Sequence, residues 1–230
     1  MALFEQIINT HSSFLGTLRH SFLDEDRKTA LQNFELKGFP TKKDEEYKYT
    51  NLKEITEKEY NFFPTEEHNI SKEQLDALHL GEENFDRIVF INGKLHKEFS
   101  KISIGNAEFL SFGYALNDSA HKEAFDQYFN TIAKKDLAFT NLNSAYCNFG
   151  FFLRVPKNVV IEKPIHIFYL SQNQNENTFY NTRNLLIVEG GAKVHFIEGC
   201  SAPKYDVSNL HAGAVELFVK DNATLRYSTI

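Results

Sequence analysis

One stretch of the chain carries residue types that could do thiol chemistry. It runs Glu198-Gly199-Cys200-Ser201-Ala202-Pro203, and is followed by Leu210-His211-Ala212 and by Arg226-Tyr227-Ser228-Thr229-Ile230. A cysteine between a β-like run and a Pro-containing turn sits where a reagent can reach it, and the reactive form there is the thiolate. His211, eleven residues on, supplies a group able to take the proton. The competing reading of Cys200 is a small buried hydrophobe, as lone cysteines commonly are, and spacing alone leaves it open. His195, Glu198, Cys200 and His211 are also a conceivable zinc set. Against it, the alternation Val194-His195-Phe196-Ile197 puts His195 on the face opposite Glu198. Cys147, in Ala145-Tyr146-Cys147-Asn148-Phe149, fits no motif and reads as core.

Other chemistries fail on inspection. There is no GxxxxGK[ST], so no ATP-binding P-loop is expected, and Glu189-Gly190-Gly191-Ala192 reads as a turn. Neither GxSxG nor HExxH occurs. Residues 1–85 carry 10 Lys+Arg against 17 Asp+Glu and the remainder 15 against 14, so no basic surface for nucleic acid is expected. Two cysteines 53 positions apart, without a CxxC, argue against a disulfide framework and fit a reducing compartment, the cytoplasm. The N-terminus lacks the pattern of a secretory signal. The aliphatic run Leu185-Leu186-Ile187-Val188 is far short of the roughly 20 residues of a membrane helix, so no membrane span is expected.

The elements that must position the thiol divide the chain in two. Residues 1–85 read as an N-terminal helical region and connector, and 86–230 as a β domain. Phe4, Ile7, Ile8, Phe14, Leu15 and Leu18 recur at helical spacing, as do Ala30, Leu31 and Phe34, predicting two helices in 2–37 that stop at Gly38. The cluster Asp24-Glu25-Asp26 suits the start of the second, where carboxylates meet unpaired N–H groups. His11 and His20 read as surface residues. Lys42 to Tyr60 reads as a connector packed through its aromatics, and Ser71 to Leu80 as a short helix within a polar linker. From Arg87 the pattern turns to strands, with a hairpin signal at Asn92-Gly93. One more helix is expected at Ser119 to Lys134, and beyond it almost only strands and turns.

An internal repeat organises that second part. Val155-Pro-Lys-Asn-Val159, Val188-Glu-Gly-Gly-Ala192 and Val219-Lys-Asp-Asn-Ala223 share one strand–turn–strand pattern, at spacings of 33 and 31. Each turn holds Asn or Gly, which tolerate positive backbone angles. Periods of this length mark solenoids, although antiparallel jelly-roll strands would give similar short runs.

Three linked motifs carry a resemblance. Glu198 to Pro203, Leu210-His211-Ala212 with Val215-Glu216 behind it, and Arg226 to Ile230 resemble the SufB branch of the SufB/SufD family of iron–sulfur cluster assembly scaffolds. Gly38 to Lys43 and Glu45 to Leu52 resemble the SufD branch. The resemblance implies a mainly β fold, a right-handed parallel β-helix (solenoid) preceded by an α-helical N-terminal region. Arg226 to Ile230 then reads as an unfinished strand, so the β-helix is expected to be incomplete at its C-terminal end and the chain to be a fragment, lacking the segment with which family members dock the ATPase SufC.

By the same resemblance the chain is a scaffold subunit without enzymatic turnover. It pairs with a sister SufB or SufD subunit, and Cys200 takes persulfide sulfur from a donor of the SufS–SufE/SufU type. His211, Thr229 and Arg183 match polar positions on the family's inward sulfur route, a guanidinium being suited to a persulfide anion. Asn181-Thr182-Arg183-Asn184 replaces the Glu-Arg-Thr usual in the family, so its acidic residue is absent. No resident cofactor or metal is implied, only a transient iron–sulfur cluster in the full complex. Two alternatives stand beside this: a purely structural SufD-like partner with an inert Cys200, and a carbohydrate-binding solenoid, which the absence of Trp disfavours. Edge strands invite a homodimer.

Overall fold

The computed structural model describes residues 2–63, 70, 85–133, 137–172, 175–201 and 207–229. The helix expected at Ser71 to Leu80 lies outside the described residues. Both N-terminal helices form, α1 (Leu3–Thr17) and α2 (Asp24–Lys37). As expected, the acidic cluster opens α2, and Gly38, with φ 69°, ends it. A short α3 (Lys53–Thr56) follows. Tyr47 packs on Phe139 and Tyr60 is buried among the residues of α1 and α2, so the connector is packed through these two aromatics, while Tyr49 is exposed. His20 is at the surface, but His11 is buried. It sits on the inner stripe of α1 with Leu3, Ile7 and Phe14, where its Nε2 lies 3.0 Å from the Ala145 carbonyl and its ring stands edge-on to Tyr146. An imidazole whose ring nitrogen is satisfied can occupy an apolar stripe, and helical spacing puts position 11 on that stripe between Ile7 and Phe14, against the surface reading.

Nine strands form among the described residues. They are β1 (Asp86–Ile91), β2 (Lys94–Leu95), β3 (Glu108–Ser111), β4 (Gly150–Val155), β5 (Ile165–Leu170), β6 (Thr178–Val188), β7 (Lys193–Ser201), β8 (Asn209–Val219) and β9 (Thr224–Thr229). Between β3 and β4 come α4 (Phe112–Asn117), α5 (Lys122–Tyr128) and α6 (Ala138–Ala145). The helix expected at Ser119 to Lys134 is therefore shorter, and α6 was not expected at all.

The expectation of a right-handed parallel β-helix is corrected by the sheets. The strands divide between two mixed sheets, β2-β1-β5-β7-β9 and β3-β4-β6-β8, and no solenoid closure is seen among the described residues. Each sheet begins with an antiparallel pair, β1 with β2 and β3 with β4, before continuing in parallel. Three helices interrupt the β region, so the fold is an α/β mixture rather than mainly β. The repeat has another meaning. From β4 onward the chain alternates between the sheets, so each period contributes one strand to each. Val155, Val188 and Val219 then fall in parallel register. Their turns place Asn158, Gly191 and Asn222 at φ 61°, 73° and 58°, as Asn and Gly permit.

The main core lies between the sheets, with Ile88, Phe90, Ile167 and Phe196 from one facing Phe151, Leu153, Leu186 and Val188 from the other. The outer face of the four-stranded sheet is covered by helices. Phe179 packs with α1, α2 and α6, and Phe152, Leu185 and Ile187 pack with α4 and α5. Cys147 is fully buried in the latter cluster, as expected, and its carbonyl accepts two bonds from the Arg27 guanidinium, at 3.0 and 2.7 Å.

Candidate functional site

Alternation along β7 decides what Cys200 meets. Val194 and Phe196 face the inter-sheet core, so Glu198 and Cys200, two and four residues beyond Phe196, lie on the same inward face. Register extends the pattern: Cys200 pairs with Tyr169 of β5, and Glu198 pairs with Thr229 of β9. The four-stranded sheet presents Tyr180 of β6 and its register partner His211 of β8. The site therefore forms where β5 and β7 finish and β6 and β8 begin.

Cys200 itself is exposed. Desolvation of its sulfur, and then the negative charge of Glu198, push its thiol above the ordinary value. The Glu198 carboxylate accepts a hydrogen bond from the Tyr227 hydroxyl of β9. Tyr180 links Cys200 to His211. Its ring stacks on His211 with centroids 4.7 Å apart and planes 17° apart, and its hydroxyl feels the charge of Cys200. Burial pushes the Tyr180 hydroxyl up to about 12, and it shares a hydrogen bond with Ser171.

His211 is wedged between aromatic rings. Tyr169 packs on it at 5.3 Å, and its Nε2 lies 2.8 Å from the Thr182 hydroxyl. Burial holds its imidazole down to about 4, so it is neutral at physiological pH. The Tyr169 hydroxyl accepts a bond of 2.6 Å from Asn184, and burial makes it a far weaker acid than an ordinary tyrosine. A groove lined by Ile55, Phe139, Leu142 and Leu210 opens onto His211 from the side of α3 and α6.

Of the four residues singled out from sequence, Cys200, His211 and Thr229 share the inward face, and Arg183 does not. Arg183 alternates with Thr182 on β6 and points to the outer face, where its guanidinium pairs with Glu216 at 2.5 Å and stacks over Phe129 at 4.7 Å. It also bonds Asn130 and Asn143, at 2.7 and 3.1 Å. Tyr227 and Tyr180 were not among the candidate site residues, and Glu198 entered only through the conceivable zinc set. The period-two pattern already put Glu198 on the face of Cys200, whereas Tyr227 and Tyr180 needed the strand register. His195 faces away from Glu198, as expected. Among the described residues no cluster of three or more His, Cys, Asp or Glu side chains could hold a metal, so the zinc set does not assemble. No helix among them is long and apolar enough to cross a membrane.

Two known family models match successive parts of the chain. A family model described as "SufBD protein N-terminal region" matches residues 2–167, and one described as "SUF system FeS cluster assembly, SufBD core domain" matches residues 169–230. Curated relatives include an iron–sulfur cluster assembly SufBD family protein of Staphylococcus saprophyticus, 40% identical over 111 residues. Another, from Staphylococcus aureus strain MRSA252, is also 40% identical over 111 residues. Each match covers 48% of this chain and 23% of the relative, so the matched stretch spans about a quarter of the length of these relatives.

Proposed function

The chain belongs to the SufBD family of iron–sulfur cluster assembly proteins, and from that premise we propose that it is a scaffold subunit that accepts sulfur at Cys200. The cluster is its cargo. The subunit has no turnover of its own, ATP hydrolysis belonging to a SufC-type partner and the second half of the scaffold to a sister SufB or SufD subunit. The reading rests above all on the contrast between the two thiols: Cys200 is exposed at the end of the inter-sheet space, while Cys147 is sealed in the core.

The transfer is a thiol–persulfide exchange. Cys200 loses its proton, and its thiolate attacks the outer sulfur of a persulfide on a donor protein. The donor's S–S bond breaks, the donor departs as a thiolate that takes up a proton, and Cys200 becomes the persulfide. The sulfur moves at its own oxidation level, so no external oxidant is required. His211, neutral at physiological pH, adds no charge that would trap the persulfide and has ring nitrogens through which a proton can pass. Thr229 and Glu198 lie on the same inward face as the arriving sulfur.

The raised Cys200 thiol favours a second reading, a structural SufD-like partner that carries no sulfur. A cellular test separates the two. Replacing Cys200 by Ser in the encoding gene should lower the activity of iron–sulfur dehydratases in extracts while leaving the amount of scaffold unchanged. Full dehydratase activity with Cys200→Ser, in cells lacking any other assembly route, would favour the structural reading.

A further inference from the structure

Beside Cys200 stands a carboxylate that the exchange chemistry does not use. Glu198 shares the inward face of β7 with it, two residues and therefore about 6.6 Å along the strand. Tyr227 reaches across from β9 and donates its hydroxyl proton to that carboxylate. Among the described residues no cationic side chain pairs with Glu198.

The groups facing this thiol come from every strand around it. They are Tyr169 of β5, Tyr180 of β6, Glu198 of β7, His211 of β8 and Tyr227 of β9. The three tyrosines are pushed up by burial and stay neutral through the physiological range. His211, held down to about 4, is neutral there too. Glu198 is thus the one facing group among the described residues that brings a charge to Cys200 near neutral pH.

We infer that Glu198, fixed in place by Tyr227, is an electrostatic gate on Cys200, opposing thiolate formation and repelling anionic reagents. The gate leaves the exposed thiol protonated in free solution, so that small anionic sulfur species and oxidants react slowly there. A protein donor that covers the site, excludes water and brings its own positive charge would relieve it. The biological purpose of the gate rests on the sulfur-accepting reading, but the gate itself can be measured without it.

Two reciprocal variants of the 230-residue chain supply the test. Glu198→Gln keeps an acceptor for Tyr227 and loses the charge, whereas Tyr227→Phe keeps the charge and loses the hydrogen bond. The second-order rate of alkylation at Cys200 is read by peptide mass spectrometry with neutral iodoacetamide and anionic iodoacetate across pH 6 to 10. With Glu198→Gln the iodoacetamide profile should move to lower pH and the rate at neutral pH rise about three- to tenfold, as a unit charge at this distance in largely aqueous surroundings implies. The iodoacetate rate should rise further. Tyr227→Phe should stay within about twofold of the parent with both reagents, because the charge remains. Parent-like rates in Glu198→Gln would overturn the proposal, as would equal acceleration in both variants, which would mean loosened structure. Failure of Cys200 to take sulfur would sink the preceding reading and leave these rates as they are.

Discussion

Arg183 and Glu216 are joined by an ion pair of 2.5 Å whose two side chains are 0% and 2% exposed. The Glu216 carboxylate also accepts the backbone N–H groups of Asn130 and Ala133, at 2.9 and 3.3 Å, so the pair clamps the chain after α5 onto the outer face of the four-stranded sheet. Removing one partner of such a pair strands a buried charge and costs about 3–5 kcal/mol. Glu216→Ala should lose that much in urea unfolding. The double change Arg183→Met with Glu216→Leu should lose clearly less, and equal losses would show that the charge pairing does not govern the site.

Gly150 has φ 105°, and a Cβ there would stand 2.2 Å from the carbonyl oxygen of its register partner Arg183. Gly150→Ala therefore combines backbone strain with a clash against a sheet backbone that cannot move aside, and should cost more than about 3 kcal/mol. At Gly105, with φ 59°, nothing lies within 4 Å of the added atom. Gly105→Ala should cost only about 1–2 kcal/mol. Denaturation midpoints of the two variants check the contrast.

His211 makes stability depend on pH in a defined window. Unfolded histidine binds its proton near 6.5, whereas folded His211 does so only near 4. Between those values the unfolded chain holds more protons, so stability is complete above about 6.5 and falls as the pH drops toward 4, by about 3 kcal/mol in all. Buried His11 is lowered as well and adds to the same slope. Urea midpoints at pH 7 and pH 5 should converge in His211→Gln relative to the parent. An undiminished slope in that variant would assign the effect to other groups.

The two cysteines should separate cleanly by reagent. Cys147 is fully buried, and burial raises its thiol, whereas Cys200 is exposed. Iodoacetamide on the native chain should label Cys200 alone, at a rate still climbing at pH 9 because that thiol too is raised. Labelling of Cys147 before unfolding would contradict the burial described here.

The parts of this architecture set by local chemistry could be read directly from residues. Asn92-Gly93 turns β1 into β2 with both residues at positive φ, and Gly38 ends α2. The 33- and 31-residue spacings are real as well, since they appear as the parallel register of Val155, Val188 and Val219. What they do not contain is the number of sheets: a strand period is the same whether successive strands coil into a solenoid or alternate between two layers. α6 is hard to read from sequence because Ala138–Ala145 is short, and Asn143 and Ser144 are buried by hydrogen bonding rather than by apolar character. In the site, period-two alternation placed Glu198 beside Cys200 and His195 opposite. The outward turn of Arg183 and the arrival of Tyr227 depend on pairings between strands about 30 residues apart.

Sulfur on Cys200 is the most direct test of the account. The chain would be incubated with a cysteine desulfurase, its sulfur-carrier protein and free cysteine, and intact mass taken before and after reductant, with Cys200→Ser and Cys147→Ser in parallel. One added sulfur atom, removed by reductant, should appear on the parent and on Cys147→Ser and be absent from Cys200→Ser. No added sulfur on the parent, with a donor shown to be active on another acceptor, would contradict the proposal that this scaffold receives sulfur at Cys200.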